Sequence, residues 1–498
     1  MTVPERLRTA SDKKAVADSG EAPRLGSFGC YVAGKWIETG NAIEVRSPFD
    51  DALVAVIHRA GSQEIEAAIA KATSSFELTR NMPVWKRAEV LEKISAGIAE
   101  RREEFAQTIA LEAGKPIRTA RLEVDRAVFT FKVAAEESKR IYGEVVPLDW
   151  IPGTEGREAQ VRRVPLGPIV GISPFNFPLN LVAHKVAPAV AAGNSIVLRP
   201  ASQTPVSALK LAEIISASGW PAEAFSVVPG TTQDAALLVE DERIKLLTFT
   251  GSPAVGWRLK TQAGRKRVTL ELGGNAGVII HRDADIAYAA ERVAWGGFSY
   301  AGQSCISVQR VYVHEDIYES FVEDFLPRVK ALKVGDPLDE ATDVGPLIDP
   351  GAAQRVEDWV VEAQKDGAKV LTGGSRSNNL WQPTVLAELQ PTMLVSCQEV
   401  FAPLVGLYPY SDIKQAIAGV DDSDFGLQAG LFTHDLNIVK KAFDHIDVGG
   451  LMVNDVPTFR IDHMPYGGVK QSGFGREGLR YAIEEMSELK LLTYNYRF

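Results

Sequence analysis

A cysteine reacts as its thiolate, and from a free pKa of about 8.5 it reaches that form only where access and surroundings allow. Of the three cysteines in this 498-residue chain, Cys305 stands in Gly302-Gln303-Ser304-Cys305-Ile306, whose small and polar neighbours leave room for a reacting group. Cys30 precedes a strand-like segment and Cys397 lies in an apolar loop before Phe401-Ala402-Pro403, so both read as structural. An odd count cannot close a disulfide framework, and no C-x-x-C spacing offers a metal site. A lone cysteine is most often a small buried hydrophobe, so its setting must carry the argument. Five loops supply that setting: Ser173-Pro174-Phe175-Asn176-Phe177-Pro178, Arg199-Pro200-Ala201-Ser202, Pro229-Gly230, Thr250-Gly251-Ser252 and Leu272-Gly273-Gly274-Asn275. Their glycines and hydroxyls permit close approach of a nucleotide, and Gly251-Ser252 leads into a helix whose amino end favours phosphate. A nicotinamide dinucleotide fits them.

Each loop follows a short apolar run, at 169–172, 195–198, 225–228, 246–249 and 268–271, with helical stretches between. This is βαβ alternation, and a doubly wound sheet binds ligands beyond the carboxyl ends of its strands. The helix between the second and third runs is expected to have Thr204 as N-cap, Pro205 as first helical residue and Gly219 near its end. Amphipathic periodicity from 62 to 142 predicts helices that cover the sheet. After Ala276 a second set of strands, including 308–313, 404–408, 429–432 and 451–454, predicts a second α/β unit. Residues 145–164 read as a hairpin around Pro152, Gly153 and Gly156, and the β-prone tail 489–498 is suited to pair with it in this subunit or another. The expected fold is α/β: a Rossmann-like cofactor domain (26–144 and 166–274), an α/β catalytic domain (275–480), a small β oligomerisation arm (145–165 and 481–498) and a polar extension (1–25).

A formal charge of -10, spread through mixed-sign segments, lacks the basic stripe that a polyanion needs, so no nucleic-acid partner is expected. The longest apolar runs, such as 183–192, are too short to span a bilayer, and no cleavable signal is evident, which predicts a cytoplasmic protein with no membrane partner. Two motifs are decoys. Gly473-Phe474-Gly475-Arg476-Glu477-Gly478 matches G-x-G-x-x-G but follows no evident strand and reads as a turn. Gly251 to Gly256 has Walker-like glycine spacing but continues Trp257-Arg258, where Lys and Ser/Thr are required.

Nearly the whole chain, about 28 to 495, resembles the aldehyde dehydrogenase superfamily. Five signatures carry the likeness: Pro174-Phe175-Asn176-Phe177-Pro178, Phe249-Thr250-Gly251-Ser252, Leu270-Glu271-Leu272-Gly273-Gly274, Gly302-Gln303-Ser304-Cys305 and Glu399-Val400-Phe401-Ala402-Pro403. Ala183-His184-Lys185 and Asp462-His463-Met464-Pro465-Tyr466-Gly467-Gly468-Val469-Lys470 are similar to the lactaldehyde, succinate-semialdehyde and non-phosphorying glyceraldehyde-3-phosphate dehydrogenase branch. The resemblance implies oxidation of an aldehyde to its acid through a Cys305 thioester. It makes the Asn176 amide and the Cys305 backbone N–H the oxyanion donors and Glu271 the general base, with Lys185 in an auxiliary catalytic role. It places Ser173, Pro174, Phe175, Arg199, Ser202, Gly230, Gly251, Ser252, Leu272, Glu399 and Phe401 against NAD or NADP. Phe177, His184, Ser304, Ile306 and Arg460 would meet a small polar or anionic aldehyde, unless Arg460 merely pairs with Asp462. No metal is expected, and open strand edges predict a homodimer or homotetramer.

The family's common loop has lysine where Arg199 stands, and its strictly NAD-dependent members have glutamate where Ser202 stands. A carboxylate there would repel a 2′-phosphate, whereas Ser202 can donate to one and Arg199 adds a planar guanidinium, so NADP is expected to be accepted. The alternative is that Arg199 replaces lysine as a ribose donor and NAD stays preferred. Two other readings compete: an idle member kept for binding, and a cysteine esterase. The joint presence of Asn176, Glu271 and Cys305 opposes the first; the nucleotide-type loops oppose the second.

Overall fold

Apolar runs of four or five residues cannot bury both faces unless helices cover each side, and that requirement organises the chain. The computed structural model describes residues 22–496. Most of the predicted N-terminal extension, residues 1–21, lies outside the described residues.

Five parallel strands form the cofactor sheet: β1 (Ile169–Ile172), β2 (Ile196–Arg199), β3 (Phe225–Val227), β4 (Leu246–Thr250) and β5 (Arg267–Glu271), in the order β5-β4-β1-β2-β3. The direction of winding reverses between β1 and β4, which opens a crevice at their carboxyl ends. Cys30–Val32 adds antiparallel to β3, so Cys30 is a buried strand residue. Gly473–Phe474 adds antiparallel to β5 on the other side. The G-x-G-x-x-G segment is thus a short edge strand followed by a turn, where the sequence showed only the turn.

Helices α1 (Ser62–Arg80), α2 (Val84–Glu100), α3 (Arg102–Ala113) and α4 (Ile117–Ser138) precede the sheet. Helix α5 (Asn180–Ala192) follows β1 and is buried along its whole length, packed against α4. Helices α6 (Val206–Ala217), α7 (Thr232–Glu240) and α8 (Pro253–Gln262) complete the crossovers. Helix α6 begins one residue later than predicted, with Pro205 as its capping residue. The Thr204 hydroxyl donates instead to the Phe175 carbonyl (3.3 Å), while the Val206 and Ser207 amides donate to the buried Glu112 carboxylate at 2.8 and 3.0 Å. Glu123 does the same for α5, accepting from the Leu179 and Asn180 amides at 3.0 and 3.1 Å and from Lys115 through its other oxygen. Two helix starts are thus held by carboxylates from distant helices, a favourable use of the helix dipole. Burial pushes the Glu112 carboxyl up to about 7 and the Lys115 ammonium down to about 8.

The second sheet contains β6 (Ala276–Ile280), β7 (Val308–His314), β8 (Thr384–Ala387), β9 (Leu404–Tyr410), β10 (Gln428–Phe432) and β11 (Gly450–Val453). Their order is β8-β9-β7-β6-β10-β11, all parallel, with Lys369–Thr372 antiparallel beside β8. Helix α9 (Ile286–Phe298) packs on this sheet and leads to the Cys305 loop. The predicted hairpin is present as Glu144–Pro147 and Arg157–Pro165, and the tail Ser487–Asn495 pairs along the second of these within the same chain, Leu491 opposite Val161. The tail forms an outer edge, with Leu489, Leu491, Leu492 and Tyr494 exposed. Among the described residues no helix is long and apolar enough to cross a membrane.

Candidate active site

Cys305 is placed by backbone packing. After α9, Tyr300 and Ala301 adopt left-handed φ values of 50° and 52°, unusual for residues with a Cβ, and Gly302 follows at +67°. A Cβ on Gly302 would lie 2.1 Å from the Ala402 carbonyl oxygen, and one on Gly274 would lie 2.1 Å from the Cys305 carbonyl oxygen. Glycine is therefore required at both close approaches. The Gln303 side chain pins the same turn, donating to the Pro346 carbonyl (3.2 Å) and accepting from the Ile348 amide (2.9 Å).

These loops line a cavity of about 540 Å³ shared by the two sheets. Asn176 Nδ2 donates to the Gln303 carbonyl at 3.0 Å, while Asn176 Oδ1 and both Glu271 carboxyl oxygens are buried without a hydrogen-bond partner among the described residues. Unpaired buried polar atoms are costly, and here they face the cavity where a ligand can satisfy them. Burial, reinforced by the negative charge of Glu477, raises the Glu271 carboxyl well above its usual range. Burial likewise pushes the Cys305 thiol up to about 12, although Tyr466 opposes it with a 3.0 Å contact from Oη to Sγ. The Glu271 carboxylate gains basicity from this desolvation, which suits it to accept a proton.

The other half of the cavity has the properties of a nucleotide groove. Ser173, Pro174 and Phe175 line it, and Ser173 Oγ is buried without a partner among the described residues. Gly251 faces the Phe249 ring, which a Cβ would approach to 2.5 Å, and Ser252 leaves the start of α8 without a side-chain cap. Leu272 packs on Gly256. Arg199 Nη2 and Ser202 Oγ both donate to the Gly230 carbonyl, at 2.9 and 3.4 Å. Arg199 and Ser202 line the cavity, whereas Gly230 stands behind them as their shared acceptor. Glu399 accepts from the Gly274 amide at 2.8 Å, and Gly273 lies so close that a Cβ would meet Glu399 Oε2 at 2.4 Å. Burial raises the Glu399 carboxyl to about 7, with the Gly274 amide and the Arg355 charge opposing. Phe401, at φ 52°, meets Phe175 edge-on at 5.9 Å. Orphaned hydroxyl, glycine-lined approach and a cavity-lining carboxyl together fit a dinucleotide.

Near Cys305, Phe177, Ser304 and Ile306 line the wall. Phe177 packs against Tyr300, and the Lys115 ammonium sits 3.6 Å from its ring centre. His184 does not line the cavity. It is fully buried on α5 and bonds Asp462 at 2.8 Å through Nε2, which turns it away from the wall; burial and the neighbouring Arg460 charge lower its pKa. Lys185 also stands behind the wall, donating to Thr250 Oγ1 (2.7 Å) and Glu477 (3.5 Å). Arg460 lines the cavity but its partner is Glu477 at 3.0 Å, and it stacks 3.6 Å over the Tyr466 ring. Asp462 bonds Arg126, Asn180 and His184 instead, so Arg460 lines the cavity without the expected alternative pairing to Asp462.

Sequence reading missed Arg126, Arg355, Tyr466 and Glu477, all on the wall. Arg126 and Arg355 lie on helices distant in sequence, and no local pattern marks them. Glu477 was inside the discarded G-x-G-x-x-G segment, whose pairing with β5 brings it beside Glu271.

A nucleotide-type crevice that opens onto a half-buried thiol defines an oxidoreductase able to work through a covalent adduct. Residues 36–492 match the aldehyde dehydrogenase family, and the chain belongs to it. It is 46% identical to 3-sulfolactaldehyde dehydrogenase from Priestia aryabhattai over 469 residues, covering 94% of this chain and 98% of the relative. Among solved structures it is similar to aldehyde dehydrogenase 21 from Physcomitrella patens in complex with the reaction product succinate, with 44% identity, TM-score 0.94 and coverage of 96% and 99% of the two chains. A glyceraldehyde-3-phosphate dehydrogenase from Methanocaldococcus jannaschii complexed with NADP gives 39% identity and TM-score 0.88, covering 91% and 99%. The chain is an aldehyde dehydrogenase that uses NAD or NADP.

The paired donors Arg199 and Ser202, with no carboxylate at either position, predict an NADP kcat/KM at least comparable with that for NAD. Steady-state kinetics with both cofactors check this; NADP less efficient by about a hundredfold, about 2.7 kcal/mol, contradicts it. Ser202→Glu is expected to depress the NADP value selectively, since it restores the repulsive charge.

Proposed function

We propose that this enzyme oxidises a short aldehyde bearing an anionic group at its far end, and that Arg126 and Arg460 recognise that group. Cys305 sulfur attacks the aldehyde carbon; the carbonyl electron pair moves to oxygen, which the Asn176 amide and Cys305 N–H stabilise, each such donor being worth roughly 3 to 4 kcal/mol. A bound nicotinamide would accept the aldehyde hydrogen as hydride, which would leave a thioester on Cys305. Glu271 takes a proton from the water that hydrolyses it, a role suited to a carboxylate made basic by burial. Ser173, Pro174, Phe175, Gly251, Ser252, Leu272, Glu399 and Phe401 hold the dinucleotide, with Glu399 on the nicotinamide ribose. Lys185 acts behind the wall, anchoring Glu477 and Thr250.

The observation that carries the substrate reading is the pair of guanidinium groups on the cavity wall. Arg126 lines the cavity and is tethered through Nε and Nη2 by Asp462, which stands behind the wall, at 3.1 and 2.7 Å. Arg460 is fixed by Glu477 and Tyr466. A sulfonate or carboxylate suits two such forks. The named activity of the Priestia relative and the succinate in the Physcomitrella complex agree with this chemistry.

A panel of aldehydes of equal chain length is expected to give the highest kcat/KM for carboxylated or sulfonated members, and Arg126→Gln should lower that value by about ten- to a hundredfold, the worth of a charged hydrogen bond, while sparing neutral aldehydes. Faster turnover of alkyl aldehydes by the wild type would overturn the proposal. The exposed edge of the Ser487–Asn495 strand supports assembly as a homodimer or homotetramer through the arm. Light scattering should give a dimer or tetramer mass; a monomer contradicts it.

A further inference from the structure

The hydroxyl of Tyr466 has no role in the mechanism above, yet among the described residues it is the hydrogen-bond partner of the reacting sulfur: Oη lies 3.0 Å from Cys305 Sγ, in a partly buried contact on the cavity wall. We infer that Tyr466 is a further catalytic residue, whose O–H donates to the Cys305 sulfur and thereby sets the pH at which the enzyme becomes nucleophilic.

Three features of the geometry support this. The Tyr466 backbone is fixed independently of its hydroxyl, because its N–H and C=O exchange hydrogen bonds with Glu477 at 3.0 and 2.6 Å. The Arg460 guanidinium lies 3.6 Å over the ring, and a cation on the face draws density from the phenol and makes its O–H a stronger donor. Finally, Ile306 and Leu427 pack with the ring beside the partly buried thiol, and such an apolar surrounding strengthens a hydrogen bond. Groups facing the sulfur and ring from the surrounding elements are Glu271 on β5, Glu399 from the loop before β9, and Arg460 and Glu477 flanking Tyr466.

The direction of donation follows from the acidities. Burial raises the Tyr466 phenol well above its ordinary value, so it keeps its proton through neutral pH. When the Cys305 thiol loses its proton to water in the cavity, the phenol remains a donor and the thiolate an acceptor. As sulfur bonds to the aldehyde carbon its negative charge passes to the carbonyl oxygen, and the Tyr466 bond to sulfur weakens. The hydroxyl therefore favours the thiolate at the expense of its intrinsic reactivity, which falls as thiol acidity rises.

The test is the pH dependence of Cys305 alkylation by iodoacetamide, read at the Cys305 peptide by mass, in the full-length enzyme. Tyr466→Phe keeps the ring under Arg460 and removes one oxygen. Its alkylation profile, and the acid limb of kcat/KM, are expected to shift upward by about one to two pH units, with a plateau at high pH no lower than that of wild type. A profile superimposed on wild type, or a uniform fall at every pH, overturns the inference. Should Tyr466→Phe fail to fold, fluorotyrosine placed at position 466 supplies a more acidic donor at nearly constant shape. It must shift the profile downward; an unshifted profile is equally fatal.

Discussion

The structure depends on one close approach between backbones. The Leu272-Gly273-Gly274 turn that ends the cofactor sheet lies against the Cys305 loop so tightly that a single methyl group at Gly274 would fall 2.1 Å from the Cys305 carbonyl oxygen. That contact joins the two sheets where the chemistry takes place. It brings Glu271, the last residue of β5, and Cys305, beyond α9, to one cavity, and it aims the Gly274 amide at Glu399. The left-handed Tyr300 and Ala301 and the absence of space beside Gly302 are further costs of the same arrangement, strain of the kind that persists only where surrounding structure enforces it.

Burial at this junction sorts the ionisable groups. Glu271, without a hydrogen-bond partner among the described residues, is raised; Glu477, which accepts hydrogen bonds from Arg460 and Lys185 and also faces His184, is held below its ordinary value against the opposing effect of burial. Asp462 is held low in the same way by His184 and Arg126, again against burial. Two carboxylates therefore serve as anchors for cations on the wall, and one remains available as a base. The environment assigns different work to chemically identical side chains.

Much of this was legible in the sequence because it rests on local chemistry. The five strand-loop units follow from short apolar runs punctuated by glycine and hydroxyl residues, and all five strands are present within a residue or two. Cys305, Glu271, Asn176, Glu399 and Phe401 lie in contiguous signatures and meet at one cavity. What could not be read were contacts between residues far apart in the chain. Glu112 and Glu123 replace local caps because α3 and α4 happen to cross the starts of α6 and α5. His184 and Lys185 lie in a matching triplet, yet both stand behind the wall, held there by Asp462 and by Thr250 and Glu477. Arg460 chooses Glu477 over its near neighbour Asp462 because an antiparallel bridge between Tyr466 and Glu477 folds that segment back upon itself.

The central claim is that Cys305 carries the acyl group after hydride has left and that Glu271 activates the water that removes it. Glu271→Gln, mixed with aldehyde and cofactor and quenched in acid, should yield one reduced cofactor per subunit and a Cys305 peptide heavier by the acyl group. Cofactor reduction with no adduct on Cys305, or with the adduct on another residue, would contradict the account.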